Sequence, residues 1–157
     1  MKRMDLQNKW VLVTGASSGL GHEMAKQLAR DHKANLVLAA RRADKLEALA
    51  KELGALGVQV KCVPVDLSKE ADAEKLFTAA TEVPLYAAVL NAGVTHFGHH
   101  DELKWEAFRD MISLNVIATT RLATLLIPYL EQKKEEGGLM FVSSMAGLSP
   151  VPYQTAA

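Results

Sequence analysis

Residues 10–21 read W-V-L-V-T-G-A-S-S-G-L-G, and this stretch decides the fold. Its first five residues form a short apolar run typical of a buried strand, and apolar residues at helical spacing begin at Gly19. The loop between them holds the glycines at positions 15, 19 and 21. A glycine loop between a strand and a helix offers backbone N–H groups and the positive end of the helix dipole to a phosphate. The stretch therefore predicts a strand, a phosphate-binding loop and a helix, in that order.

Each glycine of this loop has its own expected task. Gly15 allows the tight turn after the strand, Gly19 lets the backbone approach a pyrophosphate, and Gly21 lets the helix pack close to the strand. No Lys-Ser or Lys-Thr pair follows the last glycine, which disfavours an ATP- or GTP-binding loop. An ordinary glycine-rich turn is the alternative, and the position directly after the first strand argues against it. The loop residues expected to contact the ligand are Gly15, Ser17, Ser18, Gly19, Leu20 and Gly21.

The rest of the chain alternates between strand-like and helix-like segments. Strands are predicted at 35–40, 58–65, 85–90 and 139–143, and helices at 43–53, at 69–81 and from about Glu102 past Leu126. Ser68 is predicted to cap the helix at 69–81. This alternation, with strands that are apolar on both faces, indicates an α/β fold with a doubly wound parallel sheet of the Rossmann type. Such sheets bind ligands at the carboxyl ends of their strands.

Composition and charge narrow the class of protein. The 157 residues are 49% hydrophobic, and 18 Lys+Arg balance 18 Asp+Glu, which indicates one soluble globular domain without a general affinity for nucleic acid or an anionic membrane. No uninterrupted apolar stretch approaches the roughly 20 residues that span a bilayer. We therefore expect a cytoplasmic protein. Cys62 is the only cysteine. The histidines at 96, 99 and 100 lack the spacing of metal ligands, so we expect a solvated loop there and no metal site.

Four further short motifs follow the glycine loop. They are Asp66-Leu67 after the third predicted strand, Asn91-Ala92-Gly93 after the fourth, Leu114-Asn115-Val116 in the long helix, and Ser143-Ser144-Met145-Ala146-Gly147 after the fifth strand. Together with the T-G-x-x-x-G-x-G loop, they resemble the classical branch of the short-chain dehydrogenase/reductase family in order and spacing. The resemblance implies an oxidoreductase that transfers hydride between a nicotinamide dinucleotide and a carbonyl or alcohol substrate. It also implies a homo-oligomer, a dimer or a tetramer.

In the family that the sequence resembles, the residues at the end of the second strand determine whether NAD or NADP is bound. An acidic residue there would accept hydrogen bonds from the ribose hydroxyls of NAD, but the sequence has Ala40 followed by Arg41 and Arg42. A guanidinium can hold a 2′-phosphate through charge-assisted hydrogen bonds. We therefore expect NADP(H), with Arg41 as the main contact and Arg42 beside it. A solvated basic pair at the start of a helix is the alternative.

The motifs after the third and fourth strands are expected to complete the cofactor site. The resemblance implies that Asp66, next to Leu67, accepts a hydrogen bond from the adenine amino group. The alternative for Asp66 is a residue that only terminates the strand. The resemblance also implies that Asn91-Ala92-Gly93 lines the cofactor and that Gly93 gives room for the ribose. A purely structural role for Asn91 is the alternative.

Two residues are the candidates for catalysis. Asn115 lies in an apolar stretch in the middle of the long helix, and a buried amide there needs a hydrogen-bond partner. The resemblance implies that the helix breaks there and that the backbone carbonyl of Asn115 holds a water in a proton relay; a satisfied core amide is the alternative. Ser144 follows the fifth strand and by resemblance polarises the substrate carbonyl. A serine that only forms a turn is the alternative.

The family's catalytic tyrosine commonly falls thirteen residues after that serine, where this sequence has Ala157, its last residue. Tyr153 follows Ser144 by nine residues and has no lysine four residues later, so it does not replace the missing tyrosine. Either the sequence is a portion of a longer chain or it is an inactive form. We expect residues 1–157 to form an incomplete NADP(H)-binding Rossmann domain that lacks the family's C-terminal strands and helices. The alternative function is a catalytically inactive dinucleotide-binding protein.

Overall fold

The computed structural model describes residues 4–133, 137–149 and 151–154. Five strands in these residues form one sheet in which every pairing is parallel. They are β1 (Trp10–Thr14), β2 (Asn35–Ala40), β3 (Val60–Pro64), β4 (Leu85–Leu90) and β5 (Gly138–Phe141). The strand order is β3-β2-β1-β4-β5, so the chain first moves outward from β1 on one side and then returns to build the other side. The point where the strand order reverses therefore lies between β1 and β4.

Helices connect successive strands, as the predicted α/β fold requires. They are α1 (Gly19–His32), α2 (Ala43–Gly54), α3 (Glu70–Thr81), α4 (Trp105–Ile112) and α5 (Thr119–Glu131). The six residues Ser113–Ala118 between α4 and α5 form a π-helical segment, so the helix continues there with a wider turn. The doubly wound parallel sheet that the sequence predicts is thus confirmed.

The two faces of the sheet bury two separate apolar clusters. Along β1, Val11 and Val13 pack into the cluster that includes α1 and α2, whereas Leu12 packs into the cluster that includes α3 and α5. These three side chains are almost completely buried because consecutive residues of a strand point to opposite faces. Burial on both faces explains why β1 reads as an unbroken apolar run and not as an alternating one.

Four predicted boundaries are wrong in detail. Lys69, and not Ser68, is the N-cap residue of α3, because the Ser68 hydroxyl instead donates a hydrogen bond to the Asp66 carboxylate at 2.8 Å. The long helix begins at Trp105, because residues 100–102 form a separate 3₁₀ turn and Leu103 after it is extended. The strands β3 and β5 are shorter than predicted, at 60–64 and 138–141.

The continuous helix from Trp105 to Glu131 spans 27 residues and is, by length and composition alone, long and apolar enough to cross a membrane. This is weak evidence, because a core helix of a soluble protein passes the same test. Leu122 and Leu126 of this helix are fully buried in the cluster that covers one face of the sheet. The helix therefore has a packing role that accounts for part of its apolar surface.

Candidate active site

A groove of about 990 Å³ lies along the carboxyl ends of the strands, where the strand order reverses. The glycine loop, the ends of β2 to β4, the π-helical segment and the residues after β5 all contribute to its walls. The structure thus brings together almost every residue that the sequence singled out. The predicted residues that line the groove are Gly15, Ser17, Ser18, Gly19, Leu20, Arg41, Arg42, Asp66, Leu67, Asn91, Ala92, Gly93, Asn115 and Ser144. Gly21 does not line the groove.

Thr14 at the end of β1 ties the two central strands together. Its buried Oγ1 accepts hydrogen bonds from the backbone N–H groups of Asn91 at 2.9 Å and Ala92 at 3.0 Å. In return, the Asn91 side-chain amide donates to the Thr14 carbonyl at 3.0 Å. The structural role of Asn91 is therefore visible. Sequence reasoning missed Thr14, although a threonine directly before the first glycine of the loop was a signal.

The glycine loop is shaped by close contacts on one side and open space on the other. Gly15 has a φ of +70°, and a Cβ on Gly21 would lie 2.5 Å from both the Gly15 carbonyl oxygen and the Asn91 amide nitrogen. These positions agree with the tight turn and the close helix packing expected from the sequence. Gly19 has a φ of +58°, and no described atom would lie within 4 Å of a Cβ there. Space is thus open on the side where the backbone would meet a phosphate.

The first turn of α1 suits an anion. Ser18 is the N-cap residue but makes no side-chain capping bond, and the first turn contains no acidic residue. The N–H groups at the start of a helix have no intrahelical partner, and they carry the positive end of the helix dipole. This arrangement, beside the open space at Gly19, fits the pyrophosphate of a dinucleotide.

Two guanidinium groups stand at the end of β2. Arg42 Nη2 donates hydrogen bonds to the hydroxyl oxygens of Ser18 at 2.9 Å and Ser17 at 3.1 Å, so it joins the end of β2 to the glycine loop. Arg41 also lines the groove, and among the described residues it has no hydrogen-bond or ion-pair partner. The sequence favoured Arg41 as the main contact, and the structure leaves that guanidinium available while it engages Arg42 with the loop.

Asp66 follows β3 and sits in a hydrogen-bonded turn. Its Oδ1 accepts hydrogen bonds from the Ser68 hydroxyl at 2.8 Å and the Ser68 N–H at 3.2 Å. Its own N–H donates to the Asp72 carboxylate at 2.9 Å. The hydrogen bond from Lys75, followed by the one from the Asp66 N–H, holds the pKa of Asp72 below its usual range. Sequence reasoning missed Asp72, for which the only signal was its position in the first turn of α3.

Asn115 lies in the π-helical segment, and its side chain bonds both backbone polar groups of one residue, Val94. Its Nδ2 donates to the Val94 carbonyl at 2.8 Å, and its Oδ1 accepts from the Val94 N–H at 3.0 Å. A Cβ on Gly93 would lie 3.4 Å from the Asn115 Oδ1, so this approach is close. The expected specific partner of the amide is therefore Val94. The resemblance implies a break in the helix at Asn115; the structure instead has a widened π-helical turn there, through which the helix continues.

Ser144 is exposed in the groove and begins a short 3₁₀ turn, Met145–Gly147. Its Oγ accepts a hydrogen bond from the Ala146 N–H at 3.1 Å. Among the described residues the Ser144 hydroxyl donates to no acceptor, so its hydrogen is available to a ligand. Its role in the turn and its availability as a donor therefore coexist.

Residues 151–154 pack against the loop that follows β4. Gln154 donates a hydrogen bond to the Thr95 hydroxyl at 2.9 Å, and the Tyr153 carbonyl accepts one from the Gly98 N–H at 2.8 Å. Ala157, at the expected tyrosine position, lies outside the described residues. In the part of the chain that the structure describes, no three His, Cys, Asp or Glu side chains are placed to hold a metal ion.

Comparison with known proteins assigns the family. A protein-family model described as short chain dehydrogenase matches residues 9–156, nearly the whole sequence. The chain belongs to the short-chain dehydrogenase family. The groove of this family member lies where the parallel sheet, the glycine loop and the asparagine-containing helix meet.

Curated relatives include two yeast proteins named very-long-chain 3-oxoacyl-CoA reductase. The protein from Meyerozyma guilliermondii is 33% identical over 161 residues, which cover 94% of this chain and 46% of the relative. The protein from Scheffersomyces stipitis is 35% identical over 158 residues, which cover 94% of this chain and 45% of the relative. This chain therefore spans slightly less than half the length of these relatives.

Solved structures with the same fold hold either cofactor. The alcohol dehydrogenase from Thermococcus sibiricus, complexed with 5-hydroxy-NADP, matches with a TM-score of 0.84 and 32% identity over 93% of this chain and 62% of that one. A short-chain dehydrogenase from Sphingobium yanoikuyae in complex with NADPH has a TM-score of 0.85 and 33% identity, and the match covers 94% of this chain and 57% of that one. A short-chain dehydrogenase/reductase from Burkholderia phymatum in complex with NAD has a TM-score of 0.89 and 27% identity, and the match covers 97% of this chain and 54% of that one. The family thus binds nicotinamide dinucleotides, and the likeness alone does not choose between NAD and NADP.

Proposed function

We propose that this chain supplies the NADP(H)-binding part of an oxidoreductase that transfers hydride between nicotinamide and a carbonyl or alcohol substrate. The observation that carries the cofactor choice is the end of β2. There Ala40 stands where an NAD-binding protein would have a carboxylate, Arg41 is free of partners among the described residues, and Arg42 reaches the serines of the glycine loop. Both guanidinium groups share the groove with the phosphate-binding loop.

The balance of charge in the groove also favours a cofactor with an additional phosphate. The described lining holds one carboxylate, that of Asp66, against the two guanidinium groups of Arg41 and Arg42. A hydrogen bond between charged groups contributes about 1.5–3 kcal/mol, which corresponds to roughly ten- to a hundredfold in affinity. We therefore expect NADPH to bind at least tenfold more tightly than NADH.

The test is a set of dissociation constants for NADPH and NADH. Arg41→Ala should weaken NADPH binding and leave NADH binding unchanged, because Arg41 makes no hydrogen bond or ion pair with any other residue that the structure describes. Arg42→Ala should weaken both, because it also releases Ser17 and Ser18. Arg30→Ala is the matched control, since Arg30 pairs with Asp31 in the last turn of α1, outside the groove. Tighter binding of NADH than of NADPH to the native chain would refute the cofactor assignment.

The arrangement around Ser144 supports hydride chemistry at a carbonyl. A bound nicotinamide supplies the hydride, and the protein has to stabilise the charge that develops on the carbonyl oxygen. The Ser144 Oγ is held by the Ala146 N–H, which leaves its hydrogen to be donated to that oxygen. Asn115 holds the backbone N–H and C=O of Val94, which lines the same groove, so this wall is fixed in advance.

The names of the relatives support the substrate class. They include 3-oxoacyl-CoA reductases and an alcohol dehydrogenase, which act on a carbonyl group or on the matching alcohol. Turnover is tested by following NADPH oxidation at 340 nm, a wavelength at which only the reduced nicotinamide absorbs, against a panel of ketones, 3-oxoacyl thioesters and aldehydes. Saturable consumption of NADPH with one of these classes would support the proposal.

A second candidate function is a dinucleotide-binding protein without turnover. Ala157 favours it, because it stands thirteen residues after Ser144, at the position of the family's proton-transferring tyrosine, and a methyl group cannot transfer a proton. Saturable NADPH binding with no oxidation across the whole carbonyl panel would favour this function over the first.

We also propose that the protein forms a homo-oligomer through its long helix. Ile112, Ile117 and Ile127 on this helix are each more than a third exposed, which is unusual for isoleucine. Light scattering should give a mass of a dimer or a tetramer, and a monomer at micromolar concentration would refute this proposal.

A further inference from the structure

Asp72 is a buried carboxylate that touches the site without lining it. It lies in the first turn of α3, and its side chain is only 13% exposed. Its Oδ1 accepts a hydrogen bond from the Lys75 ammonium at 2.6 Å, and its Oδ2 accepts one from the Asp66 N–H at 2.9 Å. Both bonds stabilise the charged carboxylate, and the Lys75 bond contributes more to its lowered pKa. Asp72 therefore stays ionised at neutral pH.

The hydrogen bonds around Asp66 leave one of its polar atoms free. Its N–H is held by Asp72, its carbonyl accepts the Lys69 N–H at 2.9 Å, and its Oδ1 accepts both donors of Ser68. Its Oδ2 makes no hydrogen bond to any residue that the structure describes. The turn thus fixes the carboxylate and offers one oxygen to a ligand in the groove, which Asp66 lines.

The helix α3 gives this turn a rigid support. Ala73, Leu76 and Ala80 of α3 are buried in the cluster that covers one face of the sheet. Asp72 stands next to Ala73 and transmits the position of the helix to the Asp66 peptide. A binding group held by a second, well-packed element is preorganised, and less freedom is lost when the ligand binds.

We propose that Asp72 is a positioning residue for the adenine end of the dinucleotide: it fixes the Asp66 turn so that the free Oδ2 of Asp66 accepts a hydrogen bond from the adenine amino group. This inference rests on the proposed cofactor function, since the adenine contact of Asp66 belongs to it. Asp72 itself does not touch the cofactor. Its effect is therefore expected on the recognition of one amino group and not on dinucleotide binding in general.

The test compares NADPH with reduced nicotinamide hypoxanthine dinucleotide phosphate, in which an oxygen replaces the adenine amino group. The ratio of their dissociation constants reports on the edge of the base that carries this group, where hypoxanthine also gains a hydrogen on N1. Comparison with Asp66→Ala then isolates the contact that Asp66 makes. The native chain should prefer NADPH by about tenfold, and Asp66→Ala should bring the ratio to about one, because one charge-assisted hydrogen bond is lost. Asp72→Ala should also bring the ratio to within about twofold of one.

Two further variants separate positioning from folding. Lys75→Ala is the matched control, because it removes the ion pair and keeps the hydrogen bond that the Asp66 N–H donates to Asp72, so the ratio should stay near its native value. Asp72→Asn keeps an oxygen acceptor and should retain most of the preference. If Asp72→Ala does not fold, Asp72→Ser serves in its place, because its side chain is too short to reach the Asp66 N–H.

The outcomes are distinguishable. A native ratio in Asp72→Ala or Asp72→Ser would overturn the assignment, and so would an equal loss in Lys75→Ala. A ratio of one in a native chain that binds NADPH would also overturn it, while the proposed cofactor function would stand. A native chain that binds neither dinucleotide would refute the proposed function, and the role of Asp72 with it.

Discussion

Replacing Thr14 by valine should destabilise the protein more than either Thr14→Ser or Thr81→Val. Valine keeps the shape of threonine but cannot accept hydrogen bonds. The substitution would leave the N–H groups of Asn91 and Ala92 without their acceptor, which now lies 2.9 and 3.0 Å away. Each unsatisfied buried donor costs about 1–3 kcal/mol. Because these two residues are only half-buried, we expect a total loss of about 2–4 kcal/mol in the free energy of unfolding.

Urea-induced unfolding of three variants measures this effect. Thr81→Val is the control for the threonine-to-valine change, since the Thr81 hydroxyl only donates to carbonyls of its own helix, those of Phe77 and Thr78. Such bonds contribute little to helix stability, so we expect a change within about 0.5 kcal/mol. Thr14→Ser keeps the hydroxyl and loses one buried methyl group, which should cost about 1 kcal/mol.

The relative losses of unfolding free energy in the three variants test whether the Thr14 hydroxyl holds the strand ends together. A Thr14→Val loss below about 1 kcal/mol, or one equal to that of Thr14→Ser, would show that the two N–H groups find other partners and that the hydroxyl does not hold the strand ends together. The predicted order is Thr14→Val as the largest loss, then Thr14→Ser, with Thr81→Val close to the native chain.

Three further outcomes follow from single contacts. Gly21→Ala should lower the free energy of unfolding, measured by urea denaturation, by about 1–3 kcal/mol, because the new Cβ would lie 2.5 Å from two polar atoms. Gly54→Ala is the control: no described atom lies within 4 Å of a Cβ there, so the change should be neutral or stabilising by up to ~1 kcal/mol. The Asp72 carboxyl has a lowered pKa, so its contribution to stability is present above about pH 4 and disappears as the pH falls through the native pKa. The difference in unfolding free energy between the native chain and Asp72→Asn should therefore shrink below about pH 4. A difference that stays constant with pH would contradict this. Asn115→Ala should speed the hydrogen exchange of the Val94 amide by roughly tenfold, and unchanged exchange would show that the Asn115 side chain is not needed to hold it.

The alternation of strands and helices could be predicted because it depends on local patterns. β1, β2 and β4 have the predicted limits, since each is a short apolar run that is followed by a polar or glycine residue and each is buried on both faces. The edge strands β3 and β5 are shorter than predicted. Among the described residues each has a neighbouring strand on one side only, so fewer contacts extend the pairing to the last residues that have a suitable sequence.

The details of the site depend on contacts between distant segments, and these the sequence does not show. The widened turn at 113–118 reads as ordinary helix, because the spacing of its apolar residues changes little when one turn gains a residue. The partners of Asn115 are the backbone N–H and C=O of Val94, 21 residues earlier. Likewise, nothing in two adjacent arginines tells which one reaches Ser17 and Ser18, because that choice depends on where the end of β2 lies relative to the glycine loop.

For two of the polar residues at the strand ends, the structural and the functional interpretation are compatible. Asp66 uses Oδ1 for its turn and keeps Oδ2 free, and Ser144 accepts a hydrogen bond through Oγ while its hydrogen remains available. A turn at the end of a strand holds a polar side chain in one orientation, and a fixed orientation is also what a binding or catalytic group requires. Finding a turn bond at such a residue is therefore no argument against a ligand contact. The deciding question is whether the side chain has a second donor or acceptor facing the groove without a partner.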